Sequence, residues 1–210
     1  RILGGLGNQL FSYAAARRLA LVNNAELVLD DISGFSYDAV YQRGYKLDHF
    51  NIPCRKTTPA ERLEPFQRLR RYLKRRWNQC LPFSKRSYLV QDNVDFDPRL
   101  LQVKLQGTVY LEGYWQSEDY FKDVEDIIRQ DLKIKPPTDF INLAMVKHIR
   151  EGIAVAVHVR YFDEPDEAGI NNITGDYYNR AVVMMERMVP AAPYFIFSDQ
   201  PAAALARIPL

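Results

Sequence analysis

A glycine-rich turn opens the chain. Gly4-Gly5-Leu6-Gly7-Asn8-Gln9-Leu10-Phe11 follows Ile2-Leu3, which read as the end of a buried strand. It precedes an apolar stripe at helical spacing, Phe11, Ala15, Leu19 and Val22. Glycines permit positive φ and let a ligand reach bare backbone, and the N–H groups at a helix start attract anions. A phosphate-bearing ligand fits such a corner, although a plain turn would read the same way. A second place for chemistry lies far along the chain. Ile153-Ala154-Val155-Ala156-Val157-His158-Val159-Arg160 reads as a central parallel strand buried on both faces. Period two puts His158 and Arg160 on one side, at the carboxyl end where open α/β sheets bind ligands. Asp163 follows just past the strand.

Known patterns narrow the chemistry. A P-loop needs Gly-Lys-Ser/Thr, which does not follow the first glycines. The dinucleotide fingerprint is met at Gly5 and Gly7, but Leu10 stands at the third glycine position, with Asp30 near the place of the ribose-binding acid. A nicotinamide reading is weakened by that leucine, not removed. Asp95-Phe96-Asp97 has the Asp-x-Asp form of a divalent-metal site, but it is short, and Pro98 follows it. His49, His148 and His158 show no metal-ligand spacing. The expectation is therefore no metal and no cofactor.

The elements that must position these residues follow from the patterning. With 210 residues, 47% of them hydrophobic, the chain can bury one large or two small cores. A net charge of +2 argues against a dedicated nucleic-acid binder. Cys54 and Cys80 make no disulfide framework, and no apolar run reaches the roughly 20 residues of a membrane span. Glu26–Asp30 reads as a second strand, giving a parallel strand–helix–strand unit. The aromatic stretch from Asp31 to Pro53 reads as a loop packed on the core. Pro59–Trp77 reads as a basic helix with a solvated face that could touch an anionic substrate; a membrane-surface or nucleic-acid face is the alternative there. Residues 82–105 read as irregular. Gly107–Trp115 reads as a strand, followed by a helix capped by Ser117 and running to about Leu132, with Phe121, Val124, Ile127 and Ile128 inward. Pro136-Pro137 marks a break before a helix over about 139–150. Residues 176–188 read as a further helix, and Tyr194–Phe197 as a strand ending in Ser198-Asp199.

Four strings, in this order, resemble one enzyme family. Gly-Gly-Leu-Gly-Asn-Gln-Leu-Phe from Gly4, followed by Tyr13-Ala14, resembles the opening motif of the α-1,2-fucosyltransferases, which use GDP-fucose. A looser Gly-x-x-Gly-Asn-Gln is shared with the protein O-fucosyltransferases. Gly113-Tyr114-Trp115-Gln116-Ser117-Glu118-Asp119-Tyr120-Phe121 is similar to the family's second string. His158-x-Arg160-x-x-Asp163 resembles its His-Val-Arg-Arg-Gly-Asp box, and Phe197-Ser198-Asp199 its Phe-Ser-Asp-Asp.

The resemblance implies an α/β fold of GT-B type, two Rossmann-like domains facing a cleft. The boundaries expected are 1–150 for the N-terminal, acceptor-side domain and 151–210 for the start of a donor-binding domain. The family continues with a Ser-Phe-Ser-Trp-Trp-like segment not found here, so an incomplete second domain is expected. The implied activity is inverting transfer of fucose from GDP-fucose to the 2-hydroxyl of a terminal β-galactoside. Arg160 and Asn8 are the expected catalytic residues. Gly5, Gly7, Asn8, His158, Arg160, Asp163, Ser198 and Asp199 are the expected donor-binding residues. Tyr161 and Phe162 replace the family's second Arg and Gly, and Gln200 its second Asp, which removes one cation near the donor. The expected partners are GDP-fucose and a galactose-terminated oligosaccharide, without nucleic acid, and with peripheral membrane association kept open. The expected setting is the bacterial cytoplasm. A Golgi lumen is the alternative, for which Asn172-Ile173-Thr174 is a single sequon. Two other classes stay open: an NAD(P)-binding oxidoreductase, and a non-catalytic nucleotide- or glycan-binding module.

Overall fold

The computed structural model describes residues 1–39, 41–161 and 172–208. The chain divides into two compact units, Arg1–Lys135 and Pro136–Leu210, parted at the Pro136-Pro137 pair.

The first unit begins with residues 1–3 in extended form. Helix α1 (Leu6–Val22) leads to strand β1 (Val28–Leu29), which pairs in parallel with β2 (Arg55–Lys56). Helix α2 (Gln67–Gln79) precedes β3 (Tyr88–Val90), which pairs in parallel with β4 (Tyr110–Glu112), and α3 (Glu125–Asp131) closes the unit. The Ile2 amide donates to the Asp30 carbonyl and the Arg1 nitrogen to the Leu111 carbonyl, each at 3.0 Å. Residues 1–3 thus run between the two strand pairs, joined to each by a single bond and not by a ladder.

Helix α1 packs on both sides. Ala15 and Leu19 join Phe83, Leu89, Leu100, Val103, Trp115 and Tyr120 in one core, and Tyr13 joins Ile2, Leu29, Leu47 and Phe50 in another. The expected stripe is rotated: Ala15 and Leu19 point inward, Phe11 is half-buried and Val22 exposed. The small residues Ala14, Ala15 and Ala16 let neighbouring elements approach, and the buried Tyr13 hydroxyl donates to Asp131 on α3 at 2.6 Å. Phe35, Tyr45 and Phe50 of the aromatic loop pack on the second core, whereas Tyr37 and Tyr41 are exposed.

Four expectations are corrected. Residues 82–105 hold strand β3, whose three residues are too few to show a period. The helix expected from Ser117 to Leu132 is broken into 3-10 turns at Glu118–Tyr120 and Lys122–Val124 before α3 begins. Ser117 does cap, but it caps the first of these turns. Ile127 points outward. Finally, the basic helix α2 begins at Gln67, not at Pro59; its face with Arg68, Arg70 and Arg76 is solvated as expected, but its inner face is not. Arg71 pairs with the buried Asp30 at 2.8 Å, Arg75 pairs with Glu112, and the Asn78 Oδ1 accepts from the Ser87 and Tyr88 amides at 2.6 and 3.0 Å.

In the second unit, α4 (Phe140–Ile149) is capped by Asp139, which accepts from the Asn142 amide at 2.9 Å. Strand β5 (Val155–Val159), helix α5 (Gly175–Met188), strand β6 (Tyr194–Ser198) and helix α6 (Pro201–Arg207) follow. β5 and β6 pair in parallel, with Val155 opposite Tyr194 and Val159 opposite Ser198. Val157, Val159 and Tyr161 pack against Tyr178, Ile196, Ala204 and Ile208. Ala156, His158 and Arg160 face outward. β5 is therefore covered on one face, not on both: α5 and α6 pack on the Val157–Val159 side through Tyr178 and Ala204, and the His158 side is exposed. The small, apolar Ala156 hides that alternation in the sequence. The α/β class stands, built from short parallel pairs.

Two carboxylates, Asp30 buried and Glu112 partly buried, tie the first unit together. Burial alone would raise Asp30, but hydrogen bonds from Ser33 and the Arg71 charge outweigh it and hold the carboxyl below its ordinary range. Burial likewise opposes Glu112, and Tyr88, Arg75 and Arg1 hold it down. Folded-state values below the unfolded ones give stability that is complete above the unfolded pKa and is lost as pH falls through the folded one. The first unit is expected to lose stability below about pH 4. Asp30→Asn should cost about 3–5 kcal/mol at neutral pH, because it strands Arg71, and should flatten the acid limb. Urea midpoints followed by tryptophan fluorescence test this, since Trp77 and Trp115 both lie in this unit. A midpoint that does not change between neutral and strongly acidic pH would contradict it.

Candidate functional site

The glycine turn does start a helix. Gly5 is the N-cap of α1, with φ −69°, and Leu6, Gly7 and Asn8 form its first turn. The glycines are not equivalent. Gly4 has φ +78°, and a Cβ there would lie 2.8 Å from Asn8 Nδ2 and 2.9 Å from the Tyr114 ring. Gly4 is demanded by the fold. A Cβ on Gly5 or Gly7 would meet nothing within 4 Å, so their bare backbone faces open space.

The two N-terminal motifs meet although about a hundred residues separate them. Gln116 Nε2 donates to Asn8 Oδ1 at 2.6 Å, and Ser12 Oγ donates to the Gly113 carbonyl at 2.9 Å. Gln91 Oε1 accepts from the Tyr114 and Trp115 amides, both at 2.9 Å, which fixes the backbone that follows β4. Gly113 has φ +152°, and a Cβ there would strike the Gln91 side chain at 2.5 Å. Gln9 is buried: its Nε2 donates to the Gly4 and Gly44 carbonyls, and its Oε1 accepts from the Lys46 amide, each at 2.9 Å. Gln9 thus secures the turn to the loop beside it. Its place inside the opening string was the signal for this role; Gln91 and Ser12 carried none.

Asp30 is committed elsewhere than to a ribose. Its Oδ1 accepts from the Ser33 amide at 2.9 Å, and its Oδ2 takes the Ser33 hydroxyl and the Arg71 guanidinium. The Asp-x-Asp pattern meets a similar fate. Asp97 caps the 3-10 turn at Pro98–Gln102 and pairs with Arg99 at 2.6 Å, a hydrogen bond that holds its carboxyl below the usual range.

In the second unit the expected residues gather at the carboxyl ends of β5 and β6. The Asp199 carboxylate reaches the first of these strands with both oxygens. Oδ2 pairs with Arg160 Nη1 at 2.7 Å, and Oδ1 accepts from the Tyr161 amide at 3.2 Å. Ser198 Oγ accepts from the Gln200 amide at 3.0 Å, just before α6 begins. The Arg160 side chain is half-exposed, and His158 is exposed on the same side of β5. His158 is thus no core histidine. Asp163 lies outside the described residues. Gly5, Gly7 and Asn8 gather in the first unit, and His158, Arg160, Ser198 and Asp199 in the second. The arrangement around Arg160 can hold an anionic group: a planar cation, fixed by a carboxylate, stands at the end of a parallel strand pair.

Comparisons with known proteins give the class: the related proteins are glycosyltransferases. An α-1,2-colitosyltransferase of Escherichia coli is 26% identical over 204 residues, covering 95% of this chain and 67% of that protein. The O-antigen biosynthesis glycosyltransferase WbnK of Escherichia coli is 27% identical over 218 residues, 93% of this chain and 70% of that protein. These similarities are consistent with an α-1,2-fucosyltransferase-like family. No family model matches the chain, and no solved structure matches it.

The glycine geometry separates fold from function. Gly4→Ala should lower stability by more than about 1 kcal/mol, because it combines positive φ with a collision. Gly7→Ala lies inside a helix and should raise stability by up to about 1 kcal/mol. If a ligand approaches this backbone, Gly5→Ala and Gly7→Ala lose activity without losing stability. Thermal melts alongside transferase assays distinguish the two effects, and full activity in both variants would leave the corner a turn only.

Proposed function

We propose that this chain carries out inverting glycosyl transfer from a GDP-linked 6-deoxy sugar, with GDP-fucose as the donor and the 2-hydroxyl of a terminal β-galactoside as the acceptor. The proposed architecture is of GT-B type, with two Rossmann-like domains. The observation that carries the reading is the Arg160–Asp199 pair at the carboxyl ends of β5 and β6, in a chain whose relatives are glycosyltransferases.

The mechanism follows from charge. As the bond from the anomeric carbon to the diphosphate oxygen breaks, negative charge grows on the leaving GDP. Arg160 offers a planar fork of donors, and Asp199 keeps that fork in place before substrate arrives. Charge-assisted hydrogen bonds to such a group are worth roughly 1.5–3 kcal/mol. Their gain as charge develops lowers the barrier instead of merely tightening binding. The cation takes over the task a divalent ion would perform, so turnover is proposed to be metal-independent. Asn8 and the bare amides at Gly5 and Gly7 would serve the reacting sugar, and Ser198 the donor. Asp163 keeps its place in the proposal through the resemblance alone.

A second reading concerns the sugar. One relative is named for colitosyl transfer, so colitose is the alternative to fucose, with the same diphosphate chemistry. The oxidoreductase reading is weaker, because Asp30 is spent on Ser33 and Arg71. A non-catalytic module remains the contrast that turnover decides. The bacterial cytoplasm is the proposed setting. No helix among the described residues is long and apolar enough to cross a membrane, and the sequon residue Asn172 is buried, which leaves no room for a glycan.

Arg160→Ala in the full-length protein should lower kcat by about 10²–10³ while circular dichroism shows it folded. Arg160→Lys should recover only part of the loss, because a point charge cannot replace the fork. Excess EDTA should leave turnover intact. If the Ala variant stays near wild-type turnover, Arg160 is only a structural partner of Asp199 and the donor site is elsewhere. A screen of GDP-fucose against other nucleotide sugars, with NAD as control, tests the donor.

A further inference from the structure

Helix α2 is amphipathic inside out. Its inner face is polar: Arg71, only 6% exposed, together with Arg75 and Asn78, holds Asp30, Glu112 and the β3 backbone. Its outer face is apolar. Leu69, Leu73 and Trp77 recur at helical spacing, Phe66 continues the row at the N-cap, and Tyr72 stands beside it. These side chains are strongly exposed, Phe66 at 77% and Trp77 at 74%. An isolated exposed leucine needs no explanation, but a contiguous apolar row does.

Charge identifies the occupant. Gln67–Gln79 holds six Arg and Lys residues and no acid. Arg76 flanks the apolar row on one side, and Arg70 and Lys74 flank it on the other. Two copies of such a face would repel each other, whereas an anionic lipid surface complements both the row and its flanks.

We infer that α2 is an interfacial membrane helix: Phe66, Leu69, Leu73 and Trp77 enter the headgroup region of an anionic bilayer, and the flanking cations bind its phosphates. The helix lies on the surface, since 13 residues are too few to span.

Flotation of the full-length protein with vesicles tests this. Binding should be weak to pure phosphatidylcholine and strong once about a third of it is replaced by phosphatidylglycerol, since each basic residue near such a surface contributes about fivefold. Added salt should weaken it. The emission of Trp77 should shift to the blue on binding, whereas Trp115, at 1% exposure, has no new environment to enter. Leu73→Ser with Trp77→Ser should lower partitioning at least tenfold, and both are exposed enough to leave the fold intact. Arg70→Glu with Arg76→Glu should abolish the preference for anionic lipid. Equal binding to both vesicle types, or partitioning unchanged by the serine pair, would overturn the proposal. So would a Trp77-dependent dimer in sedimentation without vesicle binding, because the face would then join two copies.

Discussion

Two carboxylates inside the first unit require cations. Asp30 stands buried at the end of β1 and Glu112 partly buried at the end of β4, and an unpaired charge in such a place costs more than a small unit can tolerate. Arg71 and Arg75 of α2 meet that need, with Arg1 adding a bond to Glu112 at 3.1 Å. Since both helical cations must point inward, helical geometry turns Leu69, Leu73 and Trp77 outward. The same commitment removes Asp30 from any role at a ribose. An internal electrostatic constraint thus decides both what α2 presents to its surroundings and what the dinucleotide-like turn lacks.

The second unit solves a different problem with the same pair of groups. Asp199 fixes Arg160 at an exposed strand end, where the pair is half open to solvent and adds little to stability. Its value is orientation. A guanidinium fixed by a carboxylate loses less conformational freedom when an anion arrives. Arg71 and Arg160 are thus both arginines on acids, and burial separates them: one is a buried structural tie, the other stands half-exposed at a strand end.

How far the sequence could be read depends on the range of the interaction that sets each element. Turns and caps are local, so the glycine corner, the Ser117 cap and α4 between Asp139 and Arg150 were legible. β3 was not, because three residues in a parallel pair with Tyr110–Glu112 depend on partners some twenty positions away. The helix foreseen from Ser117 failed for a similar reason. Trp115 and Tyr120 are buried edge to face, and the Tyr120 hydroxyl accepts from the Asp97 amide at 2.6 Å. That tertiary anchor shapes the stretch into 3-10 turns while Phe121, Val124 and Ile128 mimic one continuous helix. Among the site residues, sequence reasoning put His158 and Arg160 on one side of their strand, and the structure has them there. The Asp199 clamp on Arg160 and Tyr161 was invisible, since nothing in the spacing of residues 160 and 199 reports it.

The motif strings also mix residues of two kinds, and geometry sorts them. Gly4 and Gly113 have positive φ and no room for a Cβ, and Gln9 is consumed by three backbone partners. These belong to the fold: any protein built on this corner needs them, whatever it binds. Gly5 and Gly7 satisfy neither condition. Gly7 even weakens its helix by roughly 1 kcal/mol relative to alanine, a cost that packing gives no reason to bear. A residue that destabilises its own element without relieving any collision is best explained by what approaches it from outside. Within one eight-residue string, then, Gly4 and Gln9 build the corner, while Gly5 and Gly7 are the positions where a ligand would leave its mark.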